Sequence, residues 1–418
     1  MSRTILANIN SDTMADHPGA AYLRAMAVVS PRTLWEARPG DCVVLLAPCG
    51  QRFREYVAGI TGVPTGQVEI VEPQEITSAH ALDVAEQRGA VPGIVARGEL
   101  DCFALDRRVL DFVRRHGLRL HPYAEPPADE VLATVRLLNT KSGFRAAAQR
   151  LGLPLAAGGH AATRAELLDR AGAFLAGQDA VIIKPDRSST GFGNVVVRAE
   201  PRASLAERLL AAVAEQGECG WVYEEFLPLT ASPSAELIAE EAGVRDYYSC
   251  DQRTVNNAWT GMVTPAREDA AYQELHKAAT VFADWLHGQG YRGVFDVDGG
   301  VYDGGSDGVT TQGVVLTESN VRVTGGTYLE KLARLLRPGE APVHWRADGR
   351  RVPDSRLDFP TAVRRLESEG LHGSSTAVRA VLSTDTHHLD GKWRYLVVGE
   401  NAEVVAEAER TVELALEL

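Results

Sequence analysis

The sequence predicts an α/β protein of more than one domain, and three observations carry that expectation. Short apolar runs alternate with amphipathic segments from the first residues onward. A proline-rich break, Ala124-Glu-Pro-Pro-Ala-Asp-Glu130, interrupts the alternation, and a second break, Arg337-Pro-Gly-Glu-Ala-Pro342, sets off the last part of the chain. Between the breaks, one segment places two carboxylates, and another a carboxylate and an amide, at every second residue, the period of a pleated strand. Strands that alternate with helices imply a parallel sheet, because each parallel pair needs a crossover between its strands.

In chain order, residues 4–9, 42–47 and 68–71 read as buried strands, with helices at 51–59 and 79–87. Residues 118–123 form a further strand, and the break after it sets a first domain at 1–125. Helical segments follow at 129–151 and 165–176, the second opened by a capping box of Thr163 and Glu166. A strand at 180–184 runs into Ser188-Ser-Thr-Gly-Phe-Gly193 and a strand at 194–198, followed by a helix at 205–216 and a strand at 221–227. Residues 271–287 form an amphipathic helix whose Leu275, Ala279, Phe282 and Leu286 are core positions. The middle domain is expected at 126–340, with a nucleotide-binding subdomain at about 180–230. A small C-terminal α/β unit fills 341–418, with a helix at 361–369, strands at 378–382 and 393–398, and a last helix from Ala402.

Composition excludes more than it identifies. The chain has 418 residues, 45% hydrophobic and 24% charged, as in ordinary globular proteins. A net charge of −13 argues against a general nucleic-acid binder. No segment is apolar enough to span a bilayer, and the start lacks a secretory apolar core. The five cysteines, Cys42, Cys49, Cys102, Cys219 and Cys250, form no CxxC and suggest reduced buried thiols in a cytoplasmic protein.

The acidic strands carry the most chemistry. Gly293-Val-Phe-Asp-Val-Asp298 puts Asp296 and Asp298 on one face, and Leu316-Thr-Glu-Ser-Asn-Val-Arg322 does the same for Glu318 and Asn320. The turn-rich Asp303-Gly-Gly-Ser-Asp-Gly-Val between them marks a hairpin. Paired in register, the strands gather carboxylates and an amide oxygen, hard ligands suited to magnesium held together with substrate phosphates. The same segment is also consistent with a solvated acidic hairpin. Three further motifs gain weight from their order. Asn139-Thr-Lys-Ser-Gly-Phe144 lies at a helix start or in a turn. Val181-Ile-Ile-Lys-Pro-Asp-Arg-Ser-Ser-Thr-Gly-Phe-Gly-Asn194 ends a buried strand in a lysine and a small-residue loop, a phosphate cradle or a plain hairpin turn. Trp221-Val-Tyr-Glu-Glu-Phe-Leu227 is an apolar strand ending in two acids. Neither GxxxxGK[ST] nor GxGxxG occurs, so a P-loop and a dinucleotide fingerprint are absent. His387-His388 reads as a pair of solvated loop histidines, since adjacent side chains on a strand diverge.

This ordered set, across about residues 126–340, resembles the ATP-grasp superfamily, and within it the peptide-ligase branch of the pheganomycin type with a pre-ATP-grasp domain in front. The resemblance implies a Rossmann-like pre-ATP-grasp domain, ATP-grasp subdomains and the small C-terminal unit. It implies ATP and Mg2+ as cofactors, with Lys141 and Lys184 on the nucleotide phosphates and Ser188, Ser189, Thr190, Gly191, Phe192 and Gly193 as the loop over them. Glu224, Glu225, Phe226 and Leu227 match the adenine hinge, and Glu236 matches loosely an acid near the ribose. Asp298, Glu318 and Asn320 match metal ligands, with Asp296 either a ligand or a bystander, and Arg322 matches the arginine on the transferred phosphoryl group. Asp296 and Ser319 depart from the small or apolar residues usual there. The implied activity is an ATP-dependent carboxylate–amine ligase acting through an acyl phosphate on a peptide or amino-acid amine, in antibiotic or related natural-product biosynthesis. A homodimer is the implied assembly. The alternatives are a ligase or kinase for a small metabolite and a non-catalytic nucleotide-binding protein. The turn Thr324-Gly-Gly-Thr327 is expected either to hold an oxyanion on its amides or simply to reverse the chain.

Overall fold

The computed structural model describes residues 2–14, 20–188, 191–200, 204–214, 219–255, 258–304, 311–339, 342–352, 355–372 and 377–418. Ser189 and Thr190 of the phosphate-loop motif, and the hairpin turn at 305–310, lie outside them.

The N-terminal strands β1 (Thr4–Leu6), β2 (Cys42–Val44), β3 (Glu69–Val71), β4 (Glu99–Cys102) and β5 (Arg119–Leu120) form a five-stranded sheet in the order β3-β2-β1-β4-β5. Every pair is parallel. The expected parallel sheet is therefore present, with β4 as a strand the sequence reading passed over. A parallel sheet is covered on both faces. Ile5, Val43 and Leu45 face one core and Leu6, Val44 and Leu46 the other, the two-residue period sending neighbours opposite ways. The first core also takes in Trp345, Leu396 and Val405 near the C-terminus; the second takes in Phe144, Phe282 and Phe295.

A second sheet holds β6 (Gly158–Ala161), β7 (Ala180–Pro185), β8 (Val195–Arg198) and β9 (Trp221–Glu225), antiparallel, in the order β6-β9-β7-β8. Its own small core is built on Leu167, Leu175, Ile183 and Trp221. The helix Arg164–Leu175 packs there, capped as expected by Thr163, whose hydroxyl accepts from Glu166 N; the Glu166 carboxylate, however, takes Ala162 N.

The third sheet is the largest. It contains β10 (Leu229–Ala231), β11 (Pro233–Glu240), β12 (Gly243–Val255), β13 (Ala258–Thr264), β14 (Gly293–Gly304), β15 (Thr311–Asn320), β16 (His344–Arg351), β17 (Val378–Leu382) and β18 (Lys392–Gly399). The order is β10-β14-β11-β12-β13-β16-β18-β17, with β15 on the other side of β14. The long helix Ala270–Gly288 buries Leu275, Ala279, Phe282 and Leu286 against this sheet, as their spacing predicts. The C-terminal strands continue the sheet, since β16 pairs with β13 from Gly261↔Asp348 to Thr264↔Trp345. Among the described residues, no helix is long and apolar enough to cross a membrane, and Cys42, Cys49, Cys102 and Cys250 carry free thiols.

Candidate active site

The acidic hairpin pairs as its alternation predicts. Asp296 lies opposite Asn320 and Asp298 opposite Glu318, while on the other edge of β14 Glu236 of β11 faces Asp296. Asn320 donates through Nδ2 to Asp296 Oδ1 at 2.7 Å and to Asp298 Oδ2 at 3.4 Å. Gln252 Nε2, from β12, donates to Asp298 Oδ1 at 2.5 Å. Asn320 Oδ1 accepts from Arg322, which also donates to Asn139 Oδ1. Arg322 Nε is buried with no partner among the described residues. Ser319, the departure between Glu318 and Asn320, spends its hydroxyl on Leu138 O at 2.9 Å. A polar side chain is tolerated there because that carbonyl, near the end of the helix Asp129–Leu138, accepts from it.

The electrostatics of the cluster are unbalanced. Burial raises the Asp296 carboxyl above the usual range and Glu236 adds to it. Burial does the same to Asp298, reinforced by Asp296 and Glu318. Burial acts on Glu318 too, but Lys141, with Lys184 and Arg322 behind it, holds that carboxyl low. Two buried aspartates with raised carboxyls, an amide oxygen and a third carboxylate on the facing strand form a donor set fitted to a hard divalent cation. Among the described residues, no three acidic, histidine or cysteine side chains close a metal cage unaided. Such an open set suits magnesium, which keeps waters and takes phosphate oxygens for its remaining positions.

Two cations face the carboxylates. Lys141 opens the helix Lys141–Arg150, whose N-cap Thr140 accepts from Gly143 N. Its Nζ sits 3.0 Å from Glu318 Oε2 and donates to Ser188 O at 3.1 Å. Asp186 fixes the same turn, accepting from Ser142 N and Oγ at 2.7 and 2.8 Å. Lys184, on β7, pairs with Glu224 Oε2 at 2.6 Å, and Arg145 takes the other oxygen at 2.8 Å. Glu224 is thus held inside an ion triad. Asp186, Arg145 and Gln252 were not singled out from the sequence. Arg145 was recoverable, because it lies four residues after Lys141 on one helix face.

Both lysines, the acidic cluster, Arg322, Glu224 to Leu227, Gly191 and Phe192 line one cavity of about 900 Å³. Ile182 and Ala156 give its hinge end an apolar wall. There Glu225 N and Phe226 N donate to Ala157 O and Ala180 O, whereas no acceptor among the described residues meets Leu227 N. Phe192 is 60% exposed and meets Tyr22 of the helix Ala20–Ala27 at 5.3 Å between ring centroids. Gly191 and Gly193 take positive φ, 74° and 78°, a backbone that side chains other than glycine rarely adopt.

Two expectations need correction, and a third is narrowed. Glu236 does not line the cavity: its carboxylate accepts from Thr327 Oγ1 at 2.6 Å and from Tyr248 and Thr324 hydroxyls at 2.8 Å each. Burial raises its pKa to about 7 despite those donors. The turn Thr324-Gly-Gly-Thr327 consumes most of its own amides: Thr324 N donates to Thr327 Oγ1, and Gly326 N and Thr327 N donate to Thr324 Oγ1. Among the described residues, no acceptor meets Gly325 N. Gly326 is required by packing, since a Cβ there would lie 1.9 Å from the Tyr248 hydroxyl. His387-His388 lies in the helical turn His387–Asp390, with the His387 ring stacked on Trp393 at 4.3 Å.

This geometry can be set beside known proteins. Residues 30–118 match the Pre ATP-grasp domain family. No curated protein matches in sequence. Among solved structures, an ADP complex of N5-carboxyaminoimidazole ribonucleotide synthetase superposes with a TM-score of 0.60 at 16% identity, covering 100% of this chain and 98% of that one. The same synthetase from Thermus thermophilus gives 0.59 at 14%, covering 100% and 99%. Biotin carboxylase from Campylobacter jejuni gives 0.60 at 13%, covering 100% and 94%. The fold along the whole chain is therefore that of an ATP-grasp protein with a pre-ATP-grasp domain in front.

Proposed function

We propose that the chain is an ATP-dependent ligase that joins a carboxylic acid to the α-amine of a peptide or amino acid, releasing ADP and phosphate, in natural-product biosynthesis. The observation that carries this reading is the pair of opposed walls in one cavity: Lys141 and Lys184 on one side, and Asp296, Asp298, Glu318 and Asn320 on the other. A carboxylate does not react with an amine directly, because oxide is a poor leaving group. Attack of the acid on the γ-phosphoryl group gives an acyl phosphate and ADP; the amine then attacks the acyl carbon and phosphate leaves.

The protein acts mainly by positioning and charge neutralisation. Ile182 and Ala156 enclose the adenine, and Leu227 N–H donates to it. Lys184 and Lys141 hold the phosphates under the loop that carries Gly191 and Phe192. Asp298, Glu318 and Asn320 would hold magnesium, which would supply charge neutralisation for the polyphosphate. Arg322, with Nε unspent, binds the transferred phosphoryl group, and Gly325 N–H meets the oxyanion of the tetrahedral intermediate.

The test supplies MgATP and a panel of carboxylic acids without amine but with hydroxylamine. A hydroxamate should form together with ADP. Adding amino acids or short peptides in its place should give an amide with equal amounts of ADP and phosphate. AMP and pyrophosphate would indicate an adenylate and overturn the reading. ADP release that ignores the amine would mark a kinase instead.

A further inference from the structure

The cavity continues past the acidic cluster into a chamber lined by Met26, Phe103, Trp259, Tyr328, Arg32 and Arg394. Arg32 belongs to the 3₁₀ segment Ser30–Glu36 of the first domain, far in sequence from every residue of the proposed phosphate and metal sites. Its guanidinium carbon lies 4.6 Å from the Tyr328 ring centroid and 5.9 Å from that of Phe103. The acids around it are spent elsewhere. Glu36 pairs with Lys331, Asp390 with Arg394, and Asp348 with Arg350 at 3.0 Å. Among the described residues, no carboxylate pairs with Arg32.

Such a placement is costly in the free protein. Burial lowers the Arg32 pKa and the Arg394 charge acts in the same direction, while the Tyr328 hydroxyl, hydrogen-bonded to the guanidinium, opposes part of the shift. The rings offset part of this by cation–π attraction, but a half-buried guanidinium without a counter-ion keeps most of its desolvation penalty. An anion entering the chamber would relieve both terms, and the planar fork of arginine matches a carboxylate. Asp348 and Asp390 line the same chamber, so a singly charged group fits better than a doubly charged phosphate.

We propose that Arg32 anchors a substrate carboxylate that does not react. The inference rests on the ligase reading, which places the reacting carboxylate beside Arg322 on another wall. The anchored group is then either the C-terminal carboxylate of the amine substrate or the second carboxylate of a diacid.

Equilibrium dialysis separates these sources. Holding a non-hydrolysable ATP analogue and magnesium constant, one compares L-alanyl-L-alanine with its C-terminal amide, and succinate with its monomethyl ester. One free carboxylate should bind about tenfold more tightly than its blocked form, as expected for a charge-assisted hydrogen bond. Whichever pair shows the difference assigns the source. Arg32→Gln should abolish the ratio, and Arg32→Lys should restore part of it. Equal binding of free and blocked probes to the wild type, or a preference that survives Arg32→Gln, would overturn the anchor. The nucleotide analogue is titrated in the same samples. Its affinity should be unchanged in Arg32→Gln, which shows that the variant is folded. A wild type that fails to bind the analogue would sink the ligase reading while leaving the carboxylate comparison standing.

Discussion

The two walls of the cavity differ in how their charge is balanced. On the lysine wall, Lys184, Arg145 and Glu224 form a closed triad with contacts of 2.6 and 2.8 Å, one carboxylate between two cations. On the hairpin wall, Asp296 and Asp298 are buried side by side, held by neutral donors from Asn320, Gln252 and Ser234, with Arg322 too weak a counter-charge to keep either carboxyl low. The first wall is assembled before any ligand arrives and has cation to spare; the second has anion to spare. A polyphosphate with a divalent cation has its charges arranged the opposite way and so complements both.

The comparison breaks first at the hairpin. Glu318→Ala and Asn320→Ala should each lower ADP-forming turnover by on the order of 100-fold or more while the fold survives, because each removes a preorganised charge-stabilising group. Near-normal turnover in either variant at low magnesium would show that this wall holds no metal.

The lysine wall should respond in binding. Lys184→Met and Lys141→Met should each weaken nucleotide affinity by about tenfold, the scale of a lost charge-assisted contact. Calorimetric titration reads this directly, and unchanged affinity in both variants would remove the phosphates from this wall. The two should also differ. Lys141 is the main cation holding the Glu318 carboxyl low, so the Lys141→Met defect should deepen toward acidic pH more than that of Lys184→Met.

The smallest effect concerns Glu236, which faces Asp296 from β11. Its pKa stands at about 7 against an ordinary 4.5. Between those values the folded protein keeps a proton that the unfolded chain has lost. Stability from this group is therefore full below pH 4.5 and declines as pH rises toward 7. Glu236→Gln cannot titrate, so the wild type should lose stability relative to it by about 1 kcal/mol per pH unit across that window. Denaturant unfolding at several pH values checks this, and parallel curves would show that the group is ionised throughout.

Much of this site was legible because it depends on local period. Asp296, Asp298, Glu318 and Asn320 announce themselves by strict alternation, and pairing in register follows from the buried face they share. Lys141 and Lys184 were legible only through their order along the chain. What sequence reasoning missed depends on long-range pairing. The strands β11, β12 and β13 were passed over, although Val244-Arg-Asp-Tyr-Tyr-Ser-Cys carries mixed strand signals, and with them went Gln252 and Tyr248. Glu236 was placed near a ribose because a lone acid in Ser234-Ala-Glu-Leu says nothing about the hydroxyls of Thr324 and Thr327, which come from a distant turn. Arg32 could not be read at all, since its setting is made by Phe103 and Tyr328 from two other parts of the chain.

The pairing of β16 with β13 has a consequence for the chain as a polymer. β13 is an interior strand only because residues more than eighty positions later lie along it. Until those residues are in place, β13 offers a row of unpaired amides and carbonyls, the kind of edge to which another chain can add itself. The C-terminal segment thus acts as the selvedge of the large sheet. A nascent or truncated chain without it would carry a raw border beside its ligand cavity.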